Sequence, residues 1–162
     1  VEYAIRRFRD EDAQALASIM GAAISYIGTH AYTQQQVDAW FARHHTPERY
    51  LERAAAGHVI FVATDPDDSP VAYTLLEADG HLDHLYCHPD HTRRGIAEKL
   101  LERSEQEARA IGCTRLYTEA SDLARPAFER SGYTATHRRE FEIAHGDHMV
   151  PIHNWAMEKQ LA

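Results

Sequence analysis

Two stretches of the sequence combine residue types and spacings that could do chemistry. In HTRRGIAEKLL, His91 to Leu101, a glycine stands where a long helix begins, just after a strand-like run breaks at His88-Pro89-Asp90. A helix start leaves several backbone N–H groups unpaired and presents the positive end of the helix dipole. Small residues at Gly95 and Ala97 let an anion such as phosphate approach the main chain, and Arg93 and Arg94 add mobile positive charge at its edge. A glycine here also fits a plain tight turn, so the spacing alone leaves both readings open. In GHLDHLYC, Gly80 to Cys87, strand alternation places His81 and Asp83 on the face of Leu85. The pairs His81-x-x-His84 and His88-x-x-His91 raise metal binding as a rival chemistry. Residues three apart on a strand point to opposite faces, however, and no paired carboxylate follows at the spacing of a zinc helix, so no metal is expected.

The elements that must hold these residues can be read from periodicity. YAIRRFR alternates as a first strand, and Asp10 is placed to cap a helix over EDAQALASIMGAAISYI. Thr33 is an N-cap for TQQQVDAWFARH, and PERYLERAAAG starts at Pro47 and stops at Gly57 as a third helix. HVIFVATD and PVAYTLLEAD flank the turn cluster TDPDDSP as a hairpin, and GHLDHLYCH continues the meander after Asp79-Gly80, read as a two-residue turn. From Gly95, Ile96, Leu100, Leu101, Ala108 and Ile111 mark one helical face that ends at Gly112. TRLYTEA is the next strand, LARPAFERSG a short helix, and YTATHRREFEI with IHNWAMEKQL a closing pair around AHGDHMVP. The order is that of a mixed α/β domain.

Composition narrows the function classes. A chain of 162 residues with 44% hydrophobic content suits one domain, expected to span residues 1–162. A formal net charge of -8 disfavours a nucleic-acid partner, whose phosphates call for a basic face. No apolar run approaches the roughly 20 residues of a membrane span, and VEYAIRRFRDED has no apolar signal core, so no membrane partner and a cytoplasmic location are expected. Cys87 and Cys113 are too few and too far apart for a disulfide framework or a structural zinc site.

The motif LDHLYCHPDHTRRGIAEKLL resembles the central motif of the GNAT-type N-acetyltransferases, in which a strand, a pyrophosphate loop and a helix bind acetyl-CoA. SDLARPAFERSGY is similar to the second cofactor segment of that family, and HNWAMEK with AYTQQQVDAW resembles a branch of small bacterial members whose substrates are mostly unassigned. The resemblance spans nearly the whole chain. It implies a mixed, mostly antiparallel six- to seven-stranded sheet flanked by helices, with splayed central strands. It also implies acetyl transfer from acetyl-CoA to a primary amine of a small molecule or peptide. The alternative of another class is a non-catalytic acyl-CoA sensor or partner-binding module of the same fold.

By that resemblance, main-chain groups of Leu85, Tyr86 and Cys87 pair with the pantetheine amides like an added strand. The backbone from Arg93 through Arg94, Gly95, Ile96 and Ala97 to Glu98 holds the pyrophosphate, and Ser121, Ala124 and Phe128 line the thiol end. Two positions depart from the pattern: Thr92 replaces a usual Gln or Arg, and Phe128 replaces a tyrosine whose hydroxyl lies near the sulfur. Attack by an amine needs a base, because an ammonium is charged at pH 7. Asp83 is the first candidate, with His81 assisting and Glu119 next, while Ser121 and Tyr133 are candidate proton donors to the sulfur. A backbone N–H near Cys87 is the expected oxyanion donor. Tyr32, Trp40 and Trp155 are expected acceptor-site walls, and the exposed edge of a splayed sheet could pair with a second copy.

Overall fold

The computed structural model describes residues 2–161. The chain runs β1 (Ala4–Arg7), α1 (Ala13–Ile27), α2 (Gln34–Phe41), α3 (Pro47–Ala55), β2 (Val59–Thr64), β3 (Pro70–Leu76) and β4 (Leu82–Cys87). It continues through α4 (Ile96–Ala110), β5 (Arg115–Ala120), α5 (Arg125–Arg130), β6 (Thr134–His145) and β7 (His148–Gln160). The strands form a four-stranded sheet, β1-β2-β3-β4, and a three-stranded sheet, β5-β7-β6. All pairings within each sheet are antiparallel. The expected mixed, mostly antiparallel seven-stranded architecture is therefore present.

Period-two alternation sets the layers. Ile60, Val62, Tyr73 and Leu75 face one side of the first sheet, against Leu16 and Ile19 of α1 and Tyr50 of α3. Phe61, Ala63 and Ala72 face the other side, against Ile96 and Leu100 of α4. In the second sheet Leu116, Ala120 and Met157 pack on Leu101 and Ala108 of α4 and on Phe128 of α5. Farther along the β6-β7 pair, Ile143, Val150 and Ile152 close on Met20, Ile24 and Val37. Each fully buried Leu or Ile contributes about 1.5–3 kcal/mol, so these stripes fix the helices that frame the site.

The two sheets meet only where β4 and β5 begin. His81 forms a parallel bridge with Tyr117, and the Tyr117 N–H donates to the Gly80 carbonyl at 3.1 Å. The buried Thr118 hydroxyl donates to the Leu82 carbonyl at 2.7 Å. Beyond these, no main-chain hydrogen bond joins β4 to β5 among the described residues, and the strands splay into a V. Gly80 makes the close approach possible: its φ is +96°, and a Cβ there would lie 2.1 Å from the Arg115 carbonyl oxygen.

Three local expectations need correction. Asp10 does not cap α1; it lies in a short 3-10 turn, and the buried Asp12 accepts the Arg9 N–H at 2.8 Å instead. The Arg6 guanidinium selects Asp12, donating to both of its carboxylate oxygens at 2.8 and 3.0 Å. The β3-β4 turn is a three-residue loop rather than a two-residue one, because Glu77 N–H donates to His81 O and Gly80 N–H to Glu77 O. A left-handed glycine closing such a loop is a common hairpin solution. AHGDHMVP is mostly strand: only Gly146 and Asp147 lie between β6 and β7, since extending the pair buries Ile143 and Val150.

Candidate active site

At the start of α4 the chain forms an anion cradle. Arg93 and Gly95 both have left-handed backbone, with φ of 62° and 76°. An L-residue in that region costs about 1–2 kcal/mol, and turns of this kind gather N–H groups into anion-binding concavities. From Arg93 to Glu98 no backbone N–H has an acceptor among the described residues. A Cβ added at Gly95 would meet nothing within 4 Å, so the space above the loop is open. Arg94 donates to the Tyr3 hydroxyl at 2.9 Å, while Thr92 turns its own hydroxyl to the Pro89 carbonyl. Six unpaired donors at the N-terminus of a fifteen-residue helix fit a pyrophosphate.

The V between β4 and β5 opens toward a second feature, a cavity of about 330 Å³. Its lining includes Asp83, His84 and Tyr86 of β4, Glu119 of β5 and Ser121, with Tyr32, Trp40 and Arg43 on the helical side and Arg139 and Phe141 on β6. Asp83 reaches it because the β3-β4 register shifts between Leu75 and Leu76: Leu75 opposes His84 and Leu76 opposes Leu82, leaving Asp83 as the extra residue. The bulge sends both Asp83 and His84 toward the cavity, while Leu82 and Leu85 pack in the core beside α4. Asp83 therefore does not share the face of Leu85, contrary to simple alternation.

An alternating chain of charges runs behind this wall. Asp83 Oδ2 and Glu77 Oε2 each accept from Arg53 Nη2 at 2.9 Å. Glu77 Oε1 lies 2.7 Å from His81 Nδ1, and His81 Nε2 lies 2.8 Å from Glu119 Oε1. The His81 ring stacks on Tyr117 with centroids 4.7 Å apart. Burial alone would lower the His81 pKa, but the hydrogen bonds to Glu119 and Glu77 outweigh it and push the ring up to about 9. At neutral pH His81 is thus a cation with no lone pair for a proton, and its place in the chain is to hold Glu119. The ligand atoms of His81, Asp83 and Glu119 lie within 4.8 Å of one another, and both ring nitrogens of His81 are engaged with carboxylates.

Burial would raise the Asp83 carboxyl, but His84 and Arg53 together bring it below the ordinary range. His84 is itself driven down to about 3, first by burial. It is neutral at pH 7, so the charges that act on Asp83 there are those of Arg53 and the protonated His81. Nδ1 of His84 lies 2.9 Å from the Tyr73 hydroxyl, which is 2.6 Å from that of Tyr50, and His84 Nε2 lies 3.6 Å from Asp83. His45 beside it is lowered to about 4 by burial and by Arg53.

The remaining expected residues divide. Tyr32, Trp40, Tyr86 and Ser121 line the cavity. The Tyr32 hydroxyl donates to the His153 carbonyl and accepts the Asp122 N–H, both at 3.1 Å, and its burial pushes it up to about 12. Ser121 Oγ accepts the Ala124 N–H at 3.2 Å, which leaves its own proton free to donate. Trp155 is not part of the lining; its indole donates to Asp122 at 2.8 Å and its ring lies under the Arg125 guanidinium. Phe128 is buried edge-to-face against Tyr133, centroids 5.0 Å apart, and Ala124 packs on the same core. Tyr133 also lies away from this lining: its buried hydroxyl, without a partner among the described residues, borders a separate cavity beside Glu98, Glu105 and Lys159. The Cys87 thiol is pushed up to about 11 by burial. Arg53, His84, Arg43 and Arg139 are site residues that the sequence reading missed. His84 was visible only as half of the His81-x-x-His84 pair, and Arg53 as a charge three residues after Tyr50 on the buried stripe of α3.

Comparison with known proteins accords with this geometry. A family model described as an acetyltransferase (GNAT) domain matches residues 29–152. The uncharacterized N-acetyltransferase YafP of Escherichia coli (strain K12) is 29% identical over 141 residues, 85% of each chain. A GCN5-related N-acetyltransferase from Rhodopseudomonas palustris superposes with a TM-score of 0.85 at 30% identity, covering 99% of this chain and 97% of that one. The PaiA N-acetyltransferase from Thermoplasma acidophilum, solved in complex with coenzyme A, has a TM-score of 0.79 at 16% identity, covering 99% of both chains.

Proposed function

Given that the chain belongs to the GNAT acetyltransferases, we propose that it moves the acetyl group of acetyl-CoA to a primary amine of a small molecule or peptide, with residues 1–162 acting as one catalytic domain. The observation that carries this reading is the unpaired N–H cradle at 93–98, at the head of the helix that packs on Leu85 and Cys87 of β4, whose other edge is open where the sheets part. The cradle holds the pyrophosphate, and the free edge of β4 at Leu85, Tyr86 and Cys87 offers main-chain groups to the pantetheine. Bound there, acetyl-CoA supplies a thioester as the acyl donor. Ala124 and Phe128 belong to the packed wall at the thiol end. The unpaired thiols Cys87 and Cys113 accord with a reducing, cytoplasmic setting.

The acceptor enters the cavity as an ammonium and must lose a proton before its nitrogen can attack. Glu119 is the base this geometry favours. His81 fixes its Oε1, its Oε2 has no partner among the described residues, and it faces the cavity. Asp83, committed to Arg53, serves as the counter-ion of that cation and as negative charge beside the ammonium. The N–C bond forms as the C–S bond breaks; of the three ammonium protons one leaves through Glu119 to solvent, a second is balanced by the proton that ends on sulfur, and the third stays on the amide nitrogen. Ser121 is the candidate donor in the cavity lining, and the backbone near Cys87 supplies the oxyanion donor.

Calorimetric titration of acetyl-CoA into wild type and Gly95→Glu tests the cradle. The glutamate should remove binding while the far-UV spectrum stays native, and equal affinity in the two proteins would overturn the assignment.

A further inference from the structure

The cavity is lined by two guanidinium groups, Arg139 and Arg43, that pair with no carboxylate among the described residues. Arg139 on β6 donates through Nη1 to Asn154 Oδ1 at 2.9 Å, across the β6-β7 pair, and its guanidinium lies 5.1 Å from the centroid of the Phe141 ring. These neutral neighbours orient the group and leave its charge unmatched. Arg43, just past α2, is exposed at the rim of the same cavity and has no side-chain partner among the described residues, so it adds a solvated positive charge beside the half-buried Arg139. The carboxylates that do line the cavity are Asp83, bound to Arg53, Glu119, bound to His81, and Glu142. Glu142 lines the rim beside Phe141 and is exposed, so solvent screens its charge.

One side of the cavity therefore suits a cation and the other an anion. A polycationic acceptor would meet repulsion at Arg139 and Arg43, and a purely apolar amine would leave both without a partner. Arginine binds carboxylates through paired N–H donors, a geometry lysine cannot match. The volume of about 330 Å³ sits at the small end for ligand pockets, which run from about 300 to 1,000 Å³. We infer that the acceptor is an amine of amino-acid size that also bears an anionic group, its ammonium toward Glu119 and Asp83 and its anion toward Arg139 and Arg43. This rests on the acetyl-transfer reading and narrows its substrate class.

The test uses amino acids, each paired with its own carboxamide, in a thiol-release assay at saturating acetyl-CoA. Wild type should prefer the acid over the amide by at least about 10-fold in kcat/KM, the discrimination of a site built around a charged contact. Arg139→Gln should bring that ratio toward one, through KM for the acid, without changing the KM for acetyl-CoA. Amides used as well as acids by wild type, or an acid-to-amide ratio unmoved in Arg139→Gln, would overturn the inference while leaving acetyl transfer intact. Absence of acetyl-CoA binding to wild type by calorimetry would overturn the transfer reading beneath it.

Discussion

The charge chain through His81 makes a quantitative prediction about stability. A histidine whose pKa is higher folded than unfolded stabilises the fold fully below the unfolded value, and that contribution is lost as pH rises through the folded value. For His81 the two values are the ordinary 6.5 and about 9. At about 1.36 kcal/mol per pH unit, the gap corresponds to roughly 3 kcal/mol. The side chain is only 16% exposed, so solvent screens little of it. His81→Gln keeps a side chain of similar reach but cannot titrate. Urea unfolding of both proteins from about pH 6 to pH 10 removes the contributions of all other groups by difference. The stability advantage of wild type over His81→Gln should shrink by roughly 3 kcal/mol across that window, with its midpoint near the middle, at about pH 8. A difference that stays constant with pH would refute the idea that Glu77 and Glu119 hold this ring charged.

Other expectations concern the same walls. Glu119→Gln should lower thiol release by about 10²-fold or more at neutral pH with acetyl-CoA affinity retained; a near-normal rate would remove Glu119 as the base. Asp83→Asn should act chiefly on folding, costing about 1–3 kcal/mol by denaturant titration because Arg53 loses one of its two carboxylates; a larger loss of turnover than in Glu119→Gln would return the base role to Asp83. Thr118→Val leaves the Leu82 carbonyl unpaired where the strands part and should cost about 1–3 kcal/mol in the same measurement, and no change would mean that this bond does not hold the junction. His84, with a folded value near 3, contributes stability above pH 6.5 that is lost on acidification. Wild type should therefore weaken relative to His84→Gln as pH falls, and parallel acid limbs would contradict its buried neutral state.

Much of this architecture is legible along the chain because local rules and burial agree. Thr33 caps α2 as its sequence suggests, with Gln36 completing the capping box, and Gly95 opens α4 in left-handed backbone. The anion cradle was readable for the same reason, since its donors belong to one short segment. The charged wall of the cavity was not. It depends on a bulge at Asp83, which periodicity alone does not signal, and the alternation rule then assigns that side chain to the wrong face. It also depends on Arg53, which meets Asp83 from 30 residues away in sequence. The role of His81 reverses once both of its nitrogens are seen to bond carboxylates: a candidate base becomes a fixed cation. Arg43 and Arg139 approach one cavity from α2 and β6, and no local pattern links them.

Transfer of an acetyl group to an amine would leave a free thiol and an N-acetylated product. The most direct measurement is thiol release from acetyl-CoA with and without an amine panel, with the products analysed by mass spectrometry. Release that depends on the amine, together with an N-acetylated product, is the expected result. Acetyl-CoA that binds but is left intact with every amine, or is hydrolysed at the same rate without one, would contradict it.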